Sequence, residues 1–202
     1  MNLKLFPLAS ALCVLTMPAL AEAPSPQTIE TDFLVLAGLT YGGDDLYQVE
    51  YEDGSDTELK AGGLISVGAG LITHFNQYSI QTTLAYHFDS ADADNGDVSF
   101  SRWSLELLPF YNIDDKHRVG LGLTYHMSPE LESDFDFDKS TIEFDSAVGI
   151  VAEYGYSWDQ STVGVRFVSI DYDISELNGM DVGWADVSVS GNHLGVYYYY
   201  NF

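Results

Sequence analysis

Gly191-Asn192-His193-Leu194-Gly195-Val196-Tyr197-Tyr198-Tyr199-Tyr200-Asn201-Phe202 closes the chain and decides how the rest is read. Counting back by twos from Phe202 gives Tyr200, Tyr198, Val196 and Leu194, while Asn201, Tyr199, Tyr197, Gly195 and His193 stand between them. Successive side chains of a strand point to opposite sides, so one face of this segment is apolar throughout and the other is polar or small. A strand of about ten residues with that contrast has the dimensions of a membrane-crossing β-strand.

The other end of the chain fits a secreted protein. Lys4 precedes an apolar run from Leu5 to Leu15, and Pro18-Ala19-Leu20-Ala21 follows. Residues 1–21 therefore read as a signal peptide cleaved after Ala21. A lipoprotein reading at Cys13 fails, because Leu12 stands where a small residue is needed. The one cysteine leaves with the signal, which removes disulfides and thiol chemistry. Residues 22–31, with Pro24 and Pro26, read as a short periplasmic leader, and 32–202 as a single domain. No later stretch reaches about eighteen consecutive apolar residues, so a helical anchor is not expected. A membrane form must then be a closed sheet, since lipid cannot satisfy open backbone groups.

The formal charge is −24, from 31 acidic and seven basic residues. So few cations cannot track a phosphate backbone, and nucleic-acid binding is excluded.

Eight alternating segments are predicted: 32–42, 62–74, 78–88, 98–111, 117–127, 142–154, 161–172 and 187–202. Long connections at 43–60, 89–97, 128–141 and 173–186 alternate with short ones at 75–77, 112–116 and 155–160, the rim asymmetry of an outer-membrane barrel. The fold class is all-β, an eight-stranded antiparallel up-and-down transmembrane β-barrel. Alternation alone allows a soluble barrel with its apolar face inward. Arginine placement argues for the membrane: Arg102, Arg118 and Arg166 all fall on polar strand faces, and an arginine facing lipid at the midplane would cost roughly 2–4 kcal/mol. A lumen ion-pair network is expected from Arg102 beside Glu106, Arg118, and Arg166 lying across from about Gly149, within reach of Glu153 or Asp145. Glu143 is placed on the same inward face. Aromatic girdles are expected at the periplasmic rim (Tyr78, Phe110, Tyr111, Tyr154, Tyr156, Trp158, Tyr200) and at the outer rim (Tyr41, Tyr86, Phe88, Phe100, Tyr125, Phe144).

On these residues, segment 32–202 resembles the small eight-stranded bacterial outer-membrane barrels of the OmpA, OmpX and OmpW type. The resemblance rests on architecture and on the last strand, where Leu194, Val196, Tyr198, Tyr200 and Phe202 would serve as the signal to the outer-membrane assembly machinery. It implies a monomer in the bacterial cell outer membrane, surrounded by lipid and lipopolysaccharide. The peptidoglycan-binding domain that follows the barrel in OmpA-like proteins is not expected here.

Three function classes follow. Eight strands leave room for side chains only, so a porin-like open channel is disfavoured and a structural or surface-contact role favoured. A narrow channel or carrier for small solutes is the first alternative; it would require the arginine cluster to part. The second is a lipid A-modifying hydrolase using His126 as base and Ser128 as nucleophile, a spacing that resembles the His-x-Ser of lipid A deacylases. Against it, His126 faces the lumen by parity and Pro129 follows at once. His74, His87 and His193 are also interior by parity, at different heights, which argues against a metal centre among them. No cofactor is expected. Asp92, Asp94, Asp97, Asp134, Asp136 and Asp138 offer clustered oxygens of the kind that hold Ca²⁺ or Mg²⁺, although a solvated acidic face is the simpler reading.

Overall fold

The computed structural model describes residues 29–50, 56–93, 96–135 and 138–202. The proposed signal peptide and most of the leader lie outside the described residues, as do Asp94, Asp136 and the side chain of Asp138. Eight strands form the barrel: β1 (Glu30–Gly42), β2 (Ile65–Phe75), β3 (Tyr78–Ala93), β4 (Gly96–Asn112), β5 (His117–Phe135), β6 (Ala147–Trp158), β7 (Ser161–Ser169) and β8 (His193–Asn201). Each pairs antiparallel with its neighbours in sequence. The ring closes between β1 and β8, from Leu34 opposite Asn201 to Gly42 opposite His193. Closure leaves this sheet no open edge within lipid.

Two of the short turns are the two-residue kind, with Asn76 and Asp159 in the left-handed region (φ 54° and 49°), as tight hairpins require. The two-residue turn at Asp159–Gln160 sets Arg166 directly opposite Glu153. This corrects the expected register against Gly149: the turn occupies 159–160 rather than the predicted 155–160, which moves the partner of Arg166 four residues along β6.

The outward face of all eight strands is apolar: Leu39, Leu71, Leu84, Leu107, Leu121, Ile150, Phe167 and Val196 are exposed there, one from each strand. Tyr41, Trp103 and Tyr125 stand at the outer margin of this belt, and Tyr78, Tyr111, Tyr154, Trp158 and Phe202 at the inner one. The soluble alternative, with an oily interior throughout, does not describe this distribution.

β3, β4 and β5 are 16, 17 and 19 residues long, well beyond the roughly ten that cross the hydrocarbon. Past Arg102 the pattern inverts. On β4, Val98 and Phe100 are fully buried whereas Ser99 and Ser101 face outward; below that level Arg102, Ser104 and Glu106 are buried and Trp103, Leu105 and Leu107 exposed. The inversion marks the point where the wall leaves lipid for water. Two segments predicted as loops, 89–97 and 128–141, are therefore largely ladder: β3 pairs with β4 up to Ala93 opposite Gly96, and the upper half of β5 pairs with the strand Asp138–Phe144.

Two residues expected in the outer girdle are buried instead. Phe100 and Phe144 sit inside this outer extension with Leu131, Ile170 and Tyr172. Phe110 also faces inward, at the periplasmic end. The segment predicted as one strand, 142–154, is two, broken at Asp145–Ser146. The break shifts the alternation by one residue, so Phe144 is buried while Glu143 and Asp145 are exposed outside the lumen.

Candidate functional site

The lumen is filled in tiers, each set by alternate residues of facing strands. At the periplasmic end a cavity of about 440 Å³, lined in part by His74, Asn112, Asp114, Lys116 and His117, reaches inward to Arg118. Asp114 accepts hydrogen bonds from the backbone N–H groups of Lys116 and His117, both at 2.8 Å. These two bonds hold its carboxyl below the usual range.

Above the cavity, Arg118 lies over the Phe110 ring at 4.1 Å and donates to Gln81 at 3.1 Å and Glu153 at 3.4 Å. Arg166 is 1 % exposed and makes the densest contacts. It donates from Nε to Glu153 at 2.9 Å, from Nη1 to both Glu106 oxygens at 2.7 and 2.6 Å, and from Nη2 to the Tyr199 hydroxyl at 2.8 Å. Tyr199 in turn donates to Glu153 at 2.6 Å, Thr83 donates to Glu106 at 3.0 Å, and Tyr197 lies beneath the guanidinium at 4.3 Å. Two arginines thus face two glutamates, and the pairs carry the additional hydrogen bonds that make a buried ion pair tolerable. Leu34, Leu36 and Ile72 pack with Tyr197 and Tyr199, so this interior is mixed rather than purely polar.

Arg102 departs from the expected pairing with Glu106. It is fully buried, donates to His87 Nδ1 at 2.8 Å and to the Gly62 carbonyl at 3.2 Å, and lies over Phe100 at 5.1 Å and Tyr172 at 5.7 Å. Its Nε and Nη1 have no hydrogen-bond partner among the described residues. A guanidinium only donates, so His87 Nδ1 must accept and Nε2 carries the proton. That nitrogen donates to the Thr40 hydroxyl at 2.7 Å, whose single O–H is shared between the carbonyls of Gly62 and Gly63. The chain of bonds ties β4, β3 and β1 to the turn that ends the first outer loop. Gly63 takes φ +59° there, beside the side chains of His87 and Arg102.

His193 and His126 flank this tier. The His87 and His193 rings are 5.4 Å apart and those of His126 and His193 6.5 Å apart. Parity places His74, His87 and His193 inward at different heights. His74 does lie apart, at the periplasmic rim 3.6 Å from Asp32, but His87 and His193 share one level, where they gather with His126 around Arg102. Among the described residues no three histidine or carboxylate groups converge as a metal site.

Apolar side chains roof the column. Leu59 and Ala61 from the first outer loop join Val98, Phe100, Phe144 and Tyr172, all buried. Gly191 is needed beneath this roof, because a Cβ there would come within 2.3 Å of the Tyr172 ring. Tyr172 was the residue least legible in the sequence: it belongs to the strand Asp171–Leu177, beyond the end of β7 at Ser169, and its alternation suggested only more of the same wall.

The remaining predicted site residues fall apart. His126 Nδ1 is 2.5 Å from the Tyr172 hydroxyl and the ring is buried, whereas Ser128 is exposed with φ 48°. The register of β4 against β5 shifts between Trp103–Met127 and Ser101–Glu130, and this bulge turns Ser128 away from His126. The two do not form a base–nucleophile pair. Asp97 pairs in register with Asp92 and with Asp134, all on the outer hairpins. Asp134 holds Lys139, whose ammonium pKa this contact raises.

Glu130 stands on the same outer wall, above the lipid belt. Burial, then the neighbouring carboxylates of Glu132 and Glu143, raise its pKa.

No family model matches the chain, and no curated protein matches it in sequence. Solved structures do match in fold. The attachment invasion locus protein Ail of Yersinia pestis, in complex with the heparin analogue sucrose octasulfate, aligns with a TM-score of 0.52 at 12 % identity, covering 85 % of this chain and 97 % of that one. A second structure of Ail gives 0.50 at 11 % identity over the same shares. Neisserial surface protein A gives 0.48 at 11 % identity, over 87 % and 99 %. At such identities the likeness speaks to fold alone. Together with the closed ring, the apolar belt and the inward arginines, it establishes the architecture: the chain is a closed eight-stranded antiparallel β-barrel with the fold of these small outer-membrane proteins.

Proposed function

We propose that this barrel works at its outer surface, as a contact protein of the bacterial outer membrane, with the lumen as a sealed scaffold. One observation carries the reading: past Arg102 the wall continues into water with its own apolar core of Phe100, Leu131, Phe144 and Tyr172. Strands and packing of that kind are superfluous in a barrel that serves only to span lipid. A conducting role would need Arg166 to leave both Glu106 and Glu153, each in direct contact with it.

The chemistry of contact differs from that of the Ail complex. Sucrose octasulfate is a polyanion, whereas the outer segments here are strongly acidic, so sulfated glycans are poor candidates. Divalent cations bridging these carboxylates to lipopolysaccharide phosphates are a compatible partner class.

The test is planar-bilayer recording of the purified barrel. No discrete conductance is expected for the wild type. Steady single-channel steps that change when Arg102 or Arg166 is replaced would overturn the reading in favour of a narrow channel.

A further inference from the structure

On the outer lobe, the strand Asp138–Phe144 pairs with Asp171–Leu177, and the chain returns through Met180–Asp181 and a single 3-10 turn at Gly183–Ala185. Between these segments runs a groove of about 180 Å³, lined by Ile142, Ile174, Leu177, Val182, Ala185 and Val187. Trp184, 83 % exposed, and Met180, 63 % exposed, stand beside it. Beyond the polarity inversion, Ile142 and Ile174 form the groove's floor against the lobe's apolar core, while Leu177 and Val187, 37 % and 47 % exposed, stand at its mouth.

The groove is pre-formed. Asn178 N donates to the Thr141 carbonyl and its side-chain oxygen accepts from Thr141 N, both at 2.8 Å, while Val182 N donates to the Ser175 carbonyl at 2.9 Å. Its surroundings are of one sign. Residues 128–145 and 171–190 together carry twelve acidic residues and a single cation, Lys139, already held by Asp134. Glu143, Asp173, Asp181 and Asp186 are exposed.

We propose that this groove binds a basic amphipathic peptide segment of a partner protein, its apolar side chains filling the groove and its Lys and Arg residues meeting the acidic rim. The proposal rests on the surface-contact reading and specifies the chemistry of the partner. Charge complementarity selects the occupant. A second copy of this chain would set acid against acid, and lipopolysaccharide would bring phosphates that reach the same rim only through bridging cations and leave the apolar groove unfilled. A basic segment with an apolar face satisfies both features at once.

The test uses the full barrel in zwitterionic nanodiscs, with Trp103→Phe and Trp158→Phe so that emission reports Trp184 alone. A helical peptide of leucine and lysine in amphipathic spacing is titrated against loaded and empty discs. Saturable binding with a blue shift of Trp184 is expected. Affinity should fall about tenfold or more in Leu177→Ser/Val187→Ser, and similarly in Glu176→Gln/Asp181→Asn/Asp186→Asn. A leucine–glutamate peptide of the same spacing should not bind.

Retention of the heat-modifiable compact form on cold gels checks that each variant is folded. Absence of binding above empty discs overturns the proposal, as does unchanged affinity in the groove variant, which would reduce the effect to charge. Equal binding of the acidic peptide or of lipopolysaccharide, or peptide-free dimerisation that covers Trp184, overturns it too. A non-conducting barrel that binds no basic peptide sinks this proposal alone, whereas a conducting barrel sinks the reading beneath it.

Discussion

The three buried arginines show how differently one residue type can be accommodated within one lumen. Arg166 is clamped by Glu106, Glu153 and Tyr199, whereas Arg102 meets a histidine, a carbonyl and two ring faces. Removing one partner of a buried pair strands the other charge in a low dielectric, so Arg166→Met should cost roughly 3–5 kcal/mol in urea unfolding from liposomes. Arg102→Met strands no carboxylate but leaves the buried His87 Nδ1 without its donor, and should cost less, about 1–2 kcal/mol. An equal loss in both variants would mean that the ion pairs are not what distinguishes the tiers. Glu130 offers a second test at this scale. Its folded pKa lies above its unfolded one, so the folded state holds the proton more tightly and the penalty is full above the folded value. As pH falls between the folded value and the ordinary carboxylate value the outer lobe should therefore stabilise, and below both the penalty is gone. Accordingly, Glu130→Gln should raise amide exchange protection along the pairing of β5 with Asp138–Phe144 at about pH 7 and leave it unchanged near pH 4. The same gain at both values would contradict this.

At the scale of elements, β8 reads in the structure as it does in the sequence, because both its environments are uniform along its length. Lipid lies on the side of Leu194, Val196 and Tyr198, and packed lumen on the side of His193, Tyr197 and Tyr199. Phe202 closes it onto β1, donating its N–H to the Phe33 carbonyl at 2.9 Å and setting its ring 5.7 Å from that of Phe33 and 5.1 Å from Tyr200. Phe202→Ser should lower the amount of barrel assembled in cells without changing its secretion, as read by fractionation and heat-modifiability; wild-type assembly would contradict a role for this strand end. β3, β4 and β5 were legible only up to their inversion points. Beyond Ser101 the alternation persists with its meaning reversed, and interspersed acids such as Asp97, Glu130 and Asp134 look like loop. The bulge at Ser128 and the break at Asp145–Ser146 each shift parity by one residue, and no turn-forming glycine announces either. That is why Glu143 and Asp145 were expected inside and Phe144 outside. The inward arginines and Glu153 were legible, because a charge on a strand flanked by leucines has one affordable direction. Which carboxylate each arginine meets depends on turn length and on cross-barrel distance, and neither is written locally.

The whole molecule is a cylinder that changes solvent along its axis. Its lower part is turned out, with charge at the centre and oil on the surface, and its upper part is built like a soluble sandwich with oil inside. Arg102, His87 and Thr40 bind the two parts together at the level where the surroundings change. The three tryptophans sample the result: Trp103 and Trp158 lie at opposite margins of the lipid belt, while Trp184 stands on the outer lobe. The most direct measurement is fluorescence quenching of the three single-tryptophan proteins in bilayers of brominated lipid. Quenching of Trp103 and Trp158 by bromine in the acyl chains, with Trp184 responding only to an aqueous quencher such as iodide, is the expected result. A protein in which Trp103 and Trp158 are untouched by brominated lipid would contradict the account, for the apolar face would then not be turned toward the membrane.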